Sequence, residues 1–122
     1  NLEIIENENL VENARLRGEQ LTENLNELMG RHPIIGDVRG VGLIQGIELV
    51  ADRSTKEHYP NELGVNNMLT DELKKRGMWI RVPAFILPIS PPLTISKVEI
   101  DHMCSIIDES LHAVEGNIHL SK

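Results

Sequence analysis

Leu10, Ala14, Leu21, Leu25 and Leu28 recur at steps of three, four or seven with polar residues between them, a spacing that puts them on one face of a long amphipathic helix. Asn9 is positioned to cap its start. Gly30 and Pro33 are positioned to stop it, since glycine readily takes the left-handed conformation after a helix and proline cannot continue one. Ahead of that cap, Leu2-Glu3-Ile4-Ile5-Glu6 already has helix-like spacing, and the first residue is Asn1 rather than Met. The chain is therefore expected to begin in mid-element, as a piece of something longer.

The period then changes. Residues 34–40 and 43–50 read as two strands with Gly40-Val41-Gly42 as the bend of a hairpin, and in the second strand Leu43, Ile47 and Leu49 share a face with Gln45. Residues 51–64 carry mixed charge, Pro60 and no sustained period, which predicts a surface loop. Val65, Met68, Leu69 and Leu73 restore the helical period. Lys74-Lys75-Arg76 then oppose the negative end of the helix dipole, and Gly77 supplies the C-terminal turn. Residues 78–82 and 85–89 read as a second strand pair divided near Pro83. A last helix is expected from Ser96, which forms a Ser-x-x-Glu capping box with Glu99, through Ile100, Met103, Ile107, Leu111 and Val114 to Gly116. The order helix, two strands, helix, two strands, helix predicts an α+β fold. Its small, mainly antiparallel sheet of about four strands is covered by helices on one side, with the long N-terminal helix lying across it or leading in from elsewhere. No repeat or internal linker divides residues 1–122, so a single domain is expected.

Composition narrows the function classes. A chain of 122 residues builds one core, which argues against two independent catalytic domains. Twelve Lys and Arg face nineteen Asp and Glu, a net charge of -7, and no basic tract is present to follow a phosphate backbone; nucleic acid is not an expected partner. The apolar runs are interrupted well short of the ~20 residues that span a bilayer, so no membrane partner is expected either. The single Cys104 cannot close an intrachain disulfide, and no basic and apolar leader pattern opens the chain, which together point to a cytoplasmic setting.

Most candidate chemistry dissolves on inspection. Gly40-Val41-Gly42-Leu43-Ile44-Gln45-Gly46 resembles a dinucleotide loop, but its third glycine arrives one position late and a strand follows, so a glycine-bent hairpin is the better reading. His32, His58, His102, His112 and His119 lack metal-ligand spacing, and no metal site is expected. Cys104 reads as a small packing residue on a helix. Lys56, Lys74, Lys75, Lys97 and Lys122 lie among polar residues or near ends, whereas a Schiff-base lysine needs a desolvated pocket, so no catalytic residue is assigned. Arg39, in Asp37-Val38-Arg39-Gly40, fits an ion pair or backbone contact on a strand edge. Arg81 differs, because it stands alone within the apolar run from Gly77 to Leu93. Its planar, permanently charged fork suits either a ligand carboxylate or a structural ion pair, and local pattern leaves both open.

A joint match of several motifs goes further. Asp37-Val38-Arg39-Gly40-Val41-Gly42-Leu43-Ile44-Gln45-Gly46-Ile47-Glu48-Leu49-Val50, then the segment from Leu73 to Gly77, Arg81, Pro91-Pro92-Leu93 and Glu99-Ile100-Asp101 resemble, in order and spacing, the C-terminal part of class III aminotransferases. These are pyridoxal-phosphate enzymes of fold type I, including omega-amino acid, amine and taurine transaminases that use pyruvate. The resemblance extends over about residues 2–114. It implies that this chain is the small C-terminal domain, with residues 1–30 the helix region that links it to a large domain. In the family the large domain carries the cofactor-bearing lysine, the aspartate that pairs with the pyridine nitrogen and most phosphate-holding groups. None of those motifs occurs here, so the resemblance implies that pyridoxal 5'-phosphate is bound only by the full-length enzyme and that the chain alone is inactive. The implied partners are its own large domain, a homodimer partner, an amino donor and a keto acid.

Arg81 matches the position, shortly after the helix-ending glycine and before the Pro-Pro, where many members place an arginine for the substrate or keto-acid carboxylate. Members commonly have a glycine close behind it. Here Val82-Pro83-Ala84-Phe85 follows, which bears on how freely Arg81 swings. The alternative is a self-sufficient, non-catalytic α+β binding or regulatory module. The two differ in surface: a severed domain exposes apolar area where its partners belong, and a complete module is covered on all sides.

Overall fold

The computed structural model describes residues 2–121, with side chains from 9 to 118. Helix α1 (Leu2–Arg31) is followed by strands β1 (Ile35–Val41) and β2 (Ile44–Leu49), a 3-10 turn (Asn61–Leu63), helix α2 (Val65–Lys75), strand β3 (Ile86–Ile89) and helix α3 (Lys97–Ser121). The strands form one antiparallel sheet in the order β1-β2-β3. The α+β class with helices on one face of a small antiparallel sheet is as the pattern predicts.

The face of α1 defined by sequence spacing is the buried one: Leu21, Leu25 and Leu28 are almost fully enclosed and Ala14 packs against the same core. The expected cap is not at Asn9, which lies exposed inside a helix already under way at Leu2. Nor does Gly30 provide a left-handed stop. The helix runs on to Arg31, its last turn closed by the His32 N–H on the Leu28 carbonyl (2.9 Å), and Pro33 ends it by steering the preceding residue out of helical backbone.

In the hairpin, Val41 pairs with Ile44 across the Gly42-Leu43 turn, where Gly42 adopts φ 59°. Gln45, Ile47 and Leu49 are buried on the helix-covered face, beside Leu87 and Ile89 of β3. Arg39, Val41, Ile44, Glu48, Ile86 and Pro88 form the opposite face, which no described element covers. Residues 51–64 form the expected surface loop, with one isolated bridge between Asp52 and Glu57.

Helix α3 packs on both other helices and delivers Ile100, Ile107, Leu111 and Val114 to a single core with Leu69 and Leu73 of α2. Burying each such side chain contributes about 1.5–3 kcal/mol. Its capping box is complete: the Glu99 N–H donates to Ser96 Oγ and the Ser96 N–H to Glu99 Oε1, both at 3.1 Å. Gly116 does not end it. A glycine weakens a helix without breaking it, and Ile118, buried two residues further on, rewards continuation.

One expected strand is missing. Residues 78–82 alternate in burial, with Val82 inside and Trp79 and Arg81 outside, yet they form no ladder with any strand among the described residues, and β3 pairs with β2 instead. Alternation reports an extended chain with one side buried. A ladder also needs a neighbour with unpaired backbone, and β2 already has one on each side. Among the described residues no helix is long and apolar enough to cross a membrane.

Candidate functional site

The segment that carries Arg81 starts from a firm stop. At the end of α2 the Gly77 N–H donates to Lys74 O (3.0 Å) and the Met78 N–H to Leu73 O (2.9 Å), with Gly77 at φ 89°. This paired pattern is a Schellman turn, and Met78 and Leu73 both join the core beneath it. Val82, 5% exposed, anchors the far side of Arg81, and its N–H donates to Thr70 Oγ1 at 3.1 Å.

A tight turn follows. The Ile86 N–H donates to Pro83 O (3.0 Å), and the two central residues, Ala84 and Phe85, have φ of 41° and 64°. Turns of this primed kind favour Asn and Gly, because a β-carbon is strained there. Phe85 is held in place from three directions. Its N–H donates to Asn66 Oδ1 (3.0 Å), its carbonyl accepts from the Leu49 N–H (2.8 Å), and its ring stacks on His58 with centroids 4.6 Å apart. Phe85 is thus a core residue. Trp79 is 76% exposed, with Lys74 Nζ 4.7 Å above its ring, so it belongs to the surface beside Arg81.

Arg81 is exposed and makes no hydrogen bond or ion pair with any described residue. The structural ion pair left open by the sequence is therefore not formed within the described part of this chain. Every other arginine has a partner. Arg39 lies between Asp37 (3.2 Å) and Glu48 (3.1 Å) on the edge strand, as its sequence context predicts. Arg15, Arg31 and Arg76 pair with carboxylates, Arg53 donates to the carbonyls of Met29, His32 and Ile35, and Arg17 to Gln20. An unpaired guanidinium beside an exposed indole can receive a carboxylate in two parallel hydrogen bonds.

The other candidates fall into structural places. His32 is buried between two carboxylates of α3, with Nε2 2.5 Å from Asp108 Oδ1 and Nδ1 on Glu115 Oε1. Nothing local signals this, since the partners lie 76 and 83 residues away. His102 and His112 are exposed, and the His119 side chain lies outside the described residues. Among the described residues no group of three His, Cys, Asp or Glu could hold a metal. Burial pushes the Cys104 thiol up to about 11, with the Asp101 charge adding to the shift; the group is a packing residue, not a nucleophile. Lys56, Lys74, Lys75 and Lys97 are all exposed, so none offers the desolvated amine a covalently held cofactor needs, and Lys122 lies outside the described residues.

Comparison with known proteins is consistent across sequence and structure. The family model described as aminotransferase class-III matches residues 1–111. The chain is 43% identical to a taurine–pyruvate aminotransferase of Bilophila wadsworthia, an alignment that covers 98% of this chain and 27% of that protein. Among solved structures it is similar to a transaminase studied with L-alanine (37% identity, TM-score 0.86, 97% of this chain and 27% of that one). It is likewise similar to an (S)-enantioselective omega-transaminase from Thermomicrobium roseum (35% identity, TM-score 0.84, 93% of this chain and 25% of that one). The chain thus spans about a quarter of the length of the relatives it matches.

Proposed function

The chain belongs to the class-III aminotransferases, and from that membership we propose that it is the small C-terminal domain of an enzyme that moves an amino group from an amine or omega-amino acid to a keto acid such as pyruvate. The similarity to a taurine–pyruvate aminotransferase supports pyruvate as the acceptor. Pyridoxal phosphate, held by a large domain outside this sequence, supplies the chemistry of amine exchange, and this domain closes over the substrate side of the site. Residues 1–30 form the connection to the large domain. The open sheet face with Val41, Ile44 and Ile86 is apolar surface of the kind a large domain or a dimer partner covers, which favours this reading over a self-sufficient module.

The observation that carries the proposal is Arg81, an exposed arginine without a partner among the described residues on a held segment; the resemblance implies a carboxylate-binding role for it. In the full-length enzyme, Arg81→Ala is expected to weaken a carboxylate-bearing substrate by ~1.5–3 kcal/mol, the scale of a charge-assisted hydrogen bond. That is roughly ten- to 150-fold in kcat/KM. An uncharged amine is spared. Equal losses for both substrates would assign Arg81 a purely structural role. In the same assay the isolated chain, supplied with pyridoxal phosphate, is expected to be inert, and turnover by it would remove the case for a missing large domain.

A further inference from the structure

The backbone on either side of Arg81 depends on two side chains of α2. Between the Met78 N–H, which closes the end of α2, and the Ile86 N–H, which closes the turn, the backbone donors with a partner among the described residues are those of Val82 and Phe85. Neither goes to backbone. Val82 donates to Thr70 Oγ1 (3.1 Å) and Phe85 to Asn66 Oδ1 (3.0 Å). Asn66 and Thr70 are four residues apart, one helical turn on the same face of α2, and both are half-buried against the segment they hold. Thr70 is oriented in turn, because its hydroxyl donates to the Asn66 carbonyl (2.9 Å) and so presents a lone pair to Val82.

The turn does not hold itself. Ala84 and Phe85 both adopt left-handed backbone, which non-glycine residues keep only where surrounding contacts over-determine it. Beyond the Ile86 N–H on Pro83 O that closes the turn, the contacts available are the Asn66 amide, the Leu49 N–H and the His58 ring. Arg81 itself contributes none, so its place is set by its neighbours in the chain.

We infer that Asn66 and Thr70 are positioning residues for Arg81, setting by their hydrogen bonds to Phe85 and Val82 where its guanidinium meets a substrate carboxylate. This rests on the reading of Arg81 as the carboxylate-binding residue. It goes beyond that reading in assigning part of the enzyme's preference for charged substrates to two side chains that touch no substrate. A displaced binding group costs turnover steeply, by as much as ~100-fold for a shift of about 1 Å.

The test uses the full-length enzyme, with one amino donor that carries a carboxylate and one uncharged amine of similar size. Thr70→Val keeps shape and β-branching but removes the acceptor; Asn66→Ala removes the other. Each is expected to raise KM for the carboxylate donor roughly three- to thirty-fold while leaving the uncharged amine within about two-fold of wild type. Thr70→Ser, which restores the acceptor, is expected to restore KM. Asn66→Ala carries the test alone if Thr70→Val does not fold. Arg81→Ala is measured alongside. If it is selective against the carboxylate donor and the α2 variants are not, the positioning role is wrong and the Arg81 reading stands. If Arg81→Ala is itself unselective, that reading fails and takes the positioning role with it. Loss of both substrates in the α2 variants, or failure of both to fold, would likewise overturn the inference in favour of a general structural role.

Discussion

Gly18 and Gly116 both lie inside helices, and alanine at the two positions is expected to change stability in opposite directions. Glycine in a helix interior is less favourable than alanine by roughly 0.5–1 kcal/mol, so substitution stabilises wherever the new methyl has room. At Gly116 nothing lies within 4 Å of the added carbon, and Gly116→Ala should gain about that amount. At Gly18 the carbon would meet the backbone of Gly42, at 2.7 Å from Cα and 2.8 Å from the carbonyl carbon. Backbone cannot swing aside, so α1 and the hairpin tip must separate by roughly 0.8 Å to reach the ~3.5 Å at which carbons rest. The same movement pulls on Gln45, 7% exposed, which donates to Thr22 Oγ1 (3.1 Å) and to Gly42 O (2.8 Å). Overpacking costs about 1–3 kcal/mol and a buried amide left without a partner a further ~1–3, so the helix-propensity gain is outweighed. Gly18→Ala should therefore be destabilised by about 1–5 kcal/mol net, towards the lower end if Gln45 keeps its partners. Urea unfolding followed by far-ultraviolet circular dichroism reads both variants, whereas Trp79 is too exposed to report on the core. A Gly18→Ala midpoint at or above wild type would refute the close approach of α1 to the hairpin.

Acid should weaken the fold through identifiable carboxylates. Hydrogen bonds from Arg76 and Lys75 hold the Glu72 carboxyl below the usual range, the Ser96 N–H does the same for Glu99, and Asn24 and Gln20 for Asp101. Each depressed group contributes stability that is present above the ordinary carboxylate range and lost as pH falls through the folded value, so the urea midpoint should drop below about pH 4. Glu72→Gln should show a shallower drop over that window, and an unchanged slope would sink the assignment. Cys104, at about 11, should alkylate far more slowly at pH 7 in the folded chain than in urea, with roughly a hundredfold less thiolate than an ordinary thiol. Equal rates in the two conditions would show that the thiol is not buried.

The sequence pattern carried most of the fold because most of the fold is local. The spacing of Leu21, Leu25 and Leu28 names the buried face of α1, Ser96 and Glu99 name the start of α3, and Gly77 the end of α2. Errors fall where a local signal has two meanings. Asn9 suits a cap or an exposed helical position, and Gly116 a stop or a weak point; the helix already under way from Leu2 decides the first, and the buried Ile118 beyond Gly116 the second. Residues 78–82 have the burial of a strand without its pairing. Contacts such as His32 with Asp108 and Glu115 join positions too distant in sequence for any periodicity to relate.

The site was legible to a different depth. Arg81 stood out because a lone cation in an apolar run has few uses, but the residues that hold its segment did not, since Asn66 and Thr70 are polar residues interspersed among the apolar positions that set the helical period. Their role depends on the neighbouring turn. Had residues 82–85 included a glycine, the left-handed turn would cost little and the backbone around Arg81 would be free to sample alternatives. With Pro83 fixing one φ, Ala84 and Phe85 held left-handed, and the N–H groups of Val82 and Phe85 bound to α2, that freedom is largely removed. If Arg81 binds a carboxylate in one half of an amine exchange and yields to an uncharged substrate in the other, the adjustment must come from rotation about its own side-chain bonds. An exposed side chain without a partner among the described residues is suited to that, and a backbone tied down on both sides keeps the guanidinium within one side-chain length of a fixed Cα.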